Sequence, residues 1–240
     1  MPYLTPETLS DYAFVNLDTL KRPIKGVIMN CHGFTDESTF TSSPRFARDL
    51  GEQGVVYIFP YYSPWAWCSD STLSYMEQVL DTVFSMLSLP DDTPFMISGG
   101  SMGGMTAMLY SVYGRRAVRA VACNCPVCNL EAVMASSPHV RRSVFAAYAG
   151  SGREMEEEIL RHNPLRQVEH MPNVPYLIVS GTADVAVPDP KHADLMKREM
   201  ARLGRDATFL SVEGMVHCDL LSHEEPYLAY LQFVLRHLGV

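Results

Sequence analysis

Ser101 lies in "ISGGSMGGMTAM", residues 97–108, with glycines at 99, 100, 103 and 104 around it. A serine hydroxyl is a poor nucleophile until a histidine takes its proton, and that histidine needs a carboxylate to fix its tautomer. Both partner types occur downstream. "YLIVSGTADVAVP" carries Asp184 and "FLSVEGMVHCDLL" carries His217, each just after an apolar run. The chain order is serine, acid, histidine, which suits a nucleophile held on a strand-to-helix turn.

A glycine-rich loop can instead cradle a phosphate, and two such patterns fail here. A P-loop needs GxxxxGK[ST], and no lysine follows Gly103 or Gly104. The dinucleotide fingerprint GxGxxG needs a glycine spacing that this stretch lacks. What fits is G-x-S-x-G over 99–103. Its glycines give room for a sharp turn that lifts the Ser101 hydroxyl above the strand ends. The helix beginning at Met102 also points its positive end at the site.

The competing histidines and acids have simpler readings. His192 and His237 fall in helical patterns and His223 begins one, while His139, His162 and His170 read as surface groups. Asp189 and Asp194 suit a helix start and interior. "NCHGFTDEST" ends a strand at His32–Gly33, where the backbone N–H of Phe34 could join that of Met102 as an oxyanion hole. "YIFPYYSPWAWCSD" offers Tyr61, Tyr62, Trp65 and Trp67 as candidate walls of a substrate pocket, or as aromatic packing beneath a loop.

Six cysteines are present, at 31, 68, 123, 125, 128 and 218. "CNCPVC" contains a CxxC, but no second ligand pair accompanies it and Pro126 breaks the local pattern. The thiols read as reduced, buried side chains, and no metal site is assigned.

These residues need elements to position them. Short, continuous apolar runs at 26–31, 55–60, 94–98, 118–123, 176–181 and 207–212 read as strands buried on both faces. Helical patterns cover 43–54, 73–87, 102–114, 189–204 and 224–239. Alternation of the two predicts an α/β domain, an open parallel sheet flanked by helices, with ligands at the carboxyl ends of the strands. Residues 125–173 interrupt the rhythm with short helical pieces near 130–135, 140–148 and 154–162. They are expected to form a small helical cap over one edge of a single domain spanning 1–240. The run "EMEEEI" within it reads as a solvated helix face.

Composition narrows the function classes. The formal charge of −8 and the lack of a basic run argue against a nucleic-acid surface. No apolar stretch reaches the ~20 residues needed to span a bilayer, and the N-terminus does not read as a secretory signal. A soluble cytoplasmic protein is expected, and a homo-oligomer is left open.

Together "CHGF", "GGSMGG", "GTADVAVP" and "EGMVHCDL" resemble the α/β-hydrolase superfamily over nearly the whole chain. Within it they are most similar to small esterases and to the catalytic domain of prolyl-oligopeptidase-type serine peptidases. The resemblance implies a mostly parallel sheet of seven or eight strands, one of them near 12–17. It also implies triad roles for Ser101, Asp184 and His217 and no organic cofactor or metal. Dienelactone hydrolases carry cysteine, and haloalkane dehalogenases aspartate, where this chain has Ser101. The expected chemistry is hydrolysis of a small to medium carboxylic ester through an acyl-enzyme on Ser101. No propeller domain is expected within the chain. The alternative is a small aminopeptidase or dipeptidase, for which Glu154, Glu156, Glu157 and Glu158 are candidate holders of the substrate amino group. A non-catalytic binding protein of the same fold is a third reading.

Overall fold

The computed structural model describes residues 4–240. Seven strands form one sheet in the order β1-β3-β2-β4-β5-β6-β7. They are β1 (Ala13–Val15), β2 (Gly26–Cys31), β3 (Val55–Pro60), β4 (Phe95–Gly100), β5 (Val121–Asn124), β6 (Tyr176–Gly181) and β7 (Ala207–Val212). Short β1 runs antiparallel to β3, and every other pairing is parallel. Parallel neighbours need crossovers, and helices supply them.

Those helices are α1 (Arg45–Gly51), α2 (Asp70–Met86), α3 (Met102–Tyr113), α8 (Ala193–Arg202) and α9 (Glu224–His237). α2 begins before the apolar periodicity does. Its first turn is polar, with Ser69 Oγ 3.0 Å from Thr72 Oγ1, so hydrophobic spacing alone does not reveal it. The start read at 189 is a 3-10 turn, Asp189–Lys191, ahead of α8.

Side chains alternate between two cores because successive strand residues point to opposite faces. Val27, Met29, Val56 and Ile58 join the face that α2 and α3 cover. Ile28, Val55, Tyr57 and Phe59 join the face covered by α1 and α9. Strands β2 to β6 are therefore buried on both sides, which explains their unbroken apolar runs. β7, expected to be buried on both faces, instead lies at the sheet edge with Val212 as its one buried residue.

Between β5 and β6 lie α4 (Leu130–Ser136), α5 (Pro138–Tyr148), α6 (Met155–Arg161) and α7 (Pro164–Gln167). Asn129 and Ser137 cap α4 and α5, their side chains accepting the Ala132 and Val140 N–H groups. Since β5 and β6 are interior neighbours, this segment leaves and rejoins the sheet away from an edge strand. Its Val133, Val140, Val144 and Tyr148 complete the core on the α2–α3 face. Glu158 and His162 depart from the sequence reading, being buried at 1% exposure each rather than solvated. Arg153 donates to Glu158 Oε1 at 2.8 Å, and His162 stacks on Tyr148 with its Nδ1 3.0 Å from the Glu158 carbonyl. These buried groups are thus paired in part, while His162 Nε2 has no hydrogen-bond partner among the described residues. Among the described residues no helix is long and apolar enough to cross a membrane.

Candidate active site

Ser101 sits between β4 and α3 with φ 54° and ψ −122°. A non-glycine residue there is strained by about 1–3 kcal/mol and must be held by its surroundings. The end of β5 does the holding. Ser101 N–H donates to the Asn124 carbonyl at 3.1 Å, and the Ser101 carbonyl accepts Val127 N–H at 3.0 Å. The flanking glycines are steric necessities. A Cβ on Gly103 would collide with the Cys31 carbonyl of β2, and one on Gly99 with the backbone of Gly103.

Asp184 and His217 arrive from the loops after β6 and β7. Asp184 is buried, and its Oδ1 accepts the N–H groups of Ala186 at 2.9 Å and Val187 at 2.8 Å. Its Oδ2 accepts His217 Nδ1–H at 2.7 Å. Burial opposes charge on both groups. These hydrogen bonds nevertheless hold the Asp184 carboxyl below its ordinary pKa. Burial likewise opposes charge on His217, yet Asp184 and the neighbouring Cys125 thiol raise its pKa to about 9. Bonding at Nδ1 leaves Nε2 as the nitrogen that faces the cavity.

Ser101 and His217 line one cavity of about 440 Å³. Among the described residues Ser101 Oγ has no hydrogen-bond partner, and in such sites the serine–histidine bond commonly tightens only with substrate bound. Phe34 lines the same cavity, and a Cβ on Gly33 would stand 3.6 Å from Ser101 Cβ, so this loop runs beside the serine. Among the described residues the N–H groups of Phe34 and Met102 have no hydrogen-bond acceptor. For Met102 this follows from its place as the first residue of α3, where a helix leaves N–H groups unpaired.

The cavity walls differ from those expected. Phe34, Phe40, Phe46, Tyr57, Phe59 and Leu220 form its apolar surface, and none of Tyr61, Tyr62, Trp65 or Trp67 lines it. Tyr62 is buried, stacked on His32 at 3.8 Å, and donates its O–H to the His32 carbonyl at 3.0 Å. Trp67 is buried and donates Nε1–H to Ser143 Oγ at 2.8 Å. Tyr61 OH accepts Phe40 N–H at 3.1 Å, and Trp65 is 48% exposed. These aromatics fasten the loop after β3 or face outward. Phe40 and Phe46 carry no motif. Their one signal is a position just ahead of and within the first turn of α1, at the carboxyl edge of the sheet.

The 125–173 segment supplies no cavity wall residue either. It touches the site through His139, whose ring lies 5.3 Å from that of Phe34. Glu154, Glu156, Glu157 and Glu158 are likewise absent from the wall, where the one acid is Asp36. Cys125 and Cys128 turn into opposite cores, which separates the CxxC pair. All six cysteines are free thiols.

A doubly wound sheet with a serine raised on a strand–helix elbow defines an α/β-hydrolase. The prolyl oligopeptidase family matches residues 76–240, and the chain belongs to that family. No curated protein matches the chain. Among solved structures it is similar to the acylaminoacyl peptidase of Pyrococcus horikoshii, with a TM-score of 0.71 at 13% identity over 90% of this chain and 38% of that one. It is also similar to a puromycin-hydrolyzing peptidase of Mycobacterium tuberculosis, with a TM-score of 0.73 at 18% identity over 95% and 37%. Esterase B of Lactobacillus rhamnosis matches with a TM-score of 0.69 at 13% identity, covering 91% of this chain and 78% of the esterase. The chain thus spans under two-fifths of the length of either peptidase. At these identities the likeness shows the fold.

Proposed function

We propose that this chain is a serine hydrolase that cleaves carboxylic esters of small to medium size through an acyl-enzyme. The observation that carries the reading is the Asp184–His217 pair, bonded at 2.7 Å, beside Ser101 in an apolar cavity. Ser101 Oγ attacks the ester carbonyl as His217 Nε2 takes its proton, and Asp184 stabilises the resulting imidazolium. The N–H groups of Phe34 and Met102 receive the oxyanion. The same histidine then protonates the leaving alcohol and activates water to release the acid.

Family membership favours a second reading, a small peptidase. Against an aminopeptidase stands the cavity wall, where the one acid, Asp36, is already tied to Ser38 N–H at 2.9 Å. The deciding experiment measures turnover of p-nitrophenyl esters of graded chain length against aminoacyl p-nitroanilides. Esters are expected to be favoured, whereas a preference for anilides would replace this reading with the peptidase. Ser101→Ala is expected to abolish ester turnover and labelling by a fluorophosphonate probe; full retained activity would overturn both readings.

A further inference from the structure

Two thiols flank the histidine that the mechanism uses as its base. Cys125 follows β5, and Cys218 follows His217 directly; the Cys218 thiol donates to the carbonyl of Asn124, the last residue of β5, at 3.5 Å, which brings it beside Cys125. Cys125 Sγ, Cys218 Sγ and one ring nitrogen of His217 all lie within 4.8 Å of one another. The His217 Nε2 to Cys218 Sγ distance is 3.8 Å. Zinc bonds of about 2.3 Å to sulfur and 2.0–2.1 Å to nitrogen, set tetrahedrally, place ligand atoms about 3.6 Å apart for N···S and about 3.8 Å apart for S···S. The N···S pair at 3.8 Å stands close to that spacing, and the other pairs, within 4.8 Å, would have to contract by no more than about 1.2 Å to enclose such an ion.

The surroundings suit a metal as well as the ligand atoms do. Asp184 holds His217 Nδ1–H at 2.7 Å, the carboxylate–histidine arrangement that orients a metal-bound imidazole. Left-handed backbone at both cysteines, φ 47° and 59°, directs the thiols to this point. Cys218 and His217 line the cavity, which gives an ion its access path, while Cys125 is buried behind them.

We propose that Cys125, His217 and Cys218 form a site for a thiol-seeking divalent cation, with zinc as the fitting ion and the fourth position open to the cavity. Binding requires both thiols and His217 Nε2 free of protons, so the protons they carry pass to solvent, and two thiolates balance the charge of the ion. Occupancy takes the Nε2 lone pair that would accept the Ser101 proton, so the bound ion switches hydrolysis off. The inhibitory half rests on the hydrolase reading above; the binding half does not.

The test titrates the reduced, metal-free full chain with cobalt(II) and follows its absorption spectrum. Intense near-ultraviolet thiolate-to-cobalt bands are expected, saturating at one cobalt per chain and displaced by zinc. Cys125→Ala and Cys218→Ala should each weaken or remove the bands, and Cys128→Ala should retain them, with circular dichroism confirming that each variant is folded. Bands that persist in both folded Cys125 and Cys218 variants, or a wild-type chain without bands, would overturn the site. In parallel, zinc should block p-nitrophenyl acetate hydrolysis and a chelator should restore it. Unchanged turnover at zinc saturation would overturn the switch. Bands in a chain that hydrolyses nothing, with or without metal, would uphold the site and remove the hydrolase reading instead.

Discussion

At the scale of residues, the proposed hydrolysis turns on one proton at His217. Its pKa stands at about 9, above the ordinary histidine value of 6.5, because Asp184 and Cys125 outweigh burial. A base must be unprotonated to act, so kcat/KM for ester hydrolysis should rise with pH and level off above about 9. A pH–rate profile flat across that range would contradict the assignment of His217 as base. The sign for stability is opposite. A raised folded-state pKa gives stability that is present in full below pH 6.5 and is lost as pH rises through about 9. Asp184→Asn removes the charge that orients the ring, and kcat should fall by roughly four orders of magnitude while the fold persists.

Secondary elements explain why the serine can be presented at all. β4 ends in Gly99–Gly100 and α3 begins at Met102, leaving Ser101 alone to make the turn. The loop after β3 is fastened in two directions. Tyr62 grips His32 beside the candidate oxyanion donor at Phe34. Trp67 ties that loop to α5, donating to Ser143 while its carbonyl accepts the Tyr148 O–H at 2.7 Å. Trp67→Phe keeps most of the buried ring but removes the N–H that Ser143 Oγ accepts, while the Ser143 hydroxyl still donates to the Val140 carbonyl at 2.7 Å. A loss of about 1 kcal/mol is expected for one net hydrogen bond. In a chain of this size that lowers Tm by roughly 2–4 °C per kcal/mol, measurable by calorimetry. An unchanged Tm would mean that the contact with α5 contributes nothing to stability.

Across the whole molecule, the segment between β5 and β6 is anchored on the face opposite the cavity's aromatic walls. Those walls, Phe34 apart, belong to the core under α1 and α9, whereas Phe34, α4 and α5 pack with the core beside α2 and α3. Ion pairs strengthen the attachment. Arg153 joins buried Glu158 to Asp70 at the start of α2, and Arg161 reaches Asp70 at 3.5 Å. Arg153→Ala would leave the buried Glu158 carboxylate without its arginine partner, so denaturant unfolding should show a lowered midpoint. Because no residue of 125–173 lines the cavity, ester turnover by the folded fraction should be little altered.

Much was legible in the chain because local chemistry dictated it. Buried parallel strands must be apolar on both faces, so β2, β3 and β6 are visible as continuous runs with their observed limits; β7 has its expected limits too, although it is a half-exposed edge strand. The elbow is visible because only glycine tolerates the close approach at 99 and 103. Asp184 and His217 follow from chain order and strand ends, and the fold brings them within a hydrogen bond. Side-chain direction in loops has no such local rule. Tyr62 and Trp67 turn inward because His32 and Ser143, distant in sequence, offer them partners. Glu158 is buried because Arg153 answers its charge. The nearest thiol partner of Cys125 at the site is Cys218, far along the chain, rather than Cys128 in its own motif. The sequence by itself determined the sheet and the elbow and pointed to the three candidate side chains, since each rests on sterics, periodicity or chain order within a few residues. Only the tertiary structure decided which aromatics wall the cavity and which thiols stand beside His217, because those depend on contacts between segments that the chain keeps far apart.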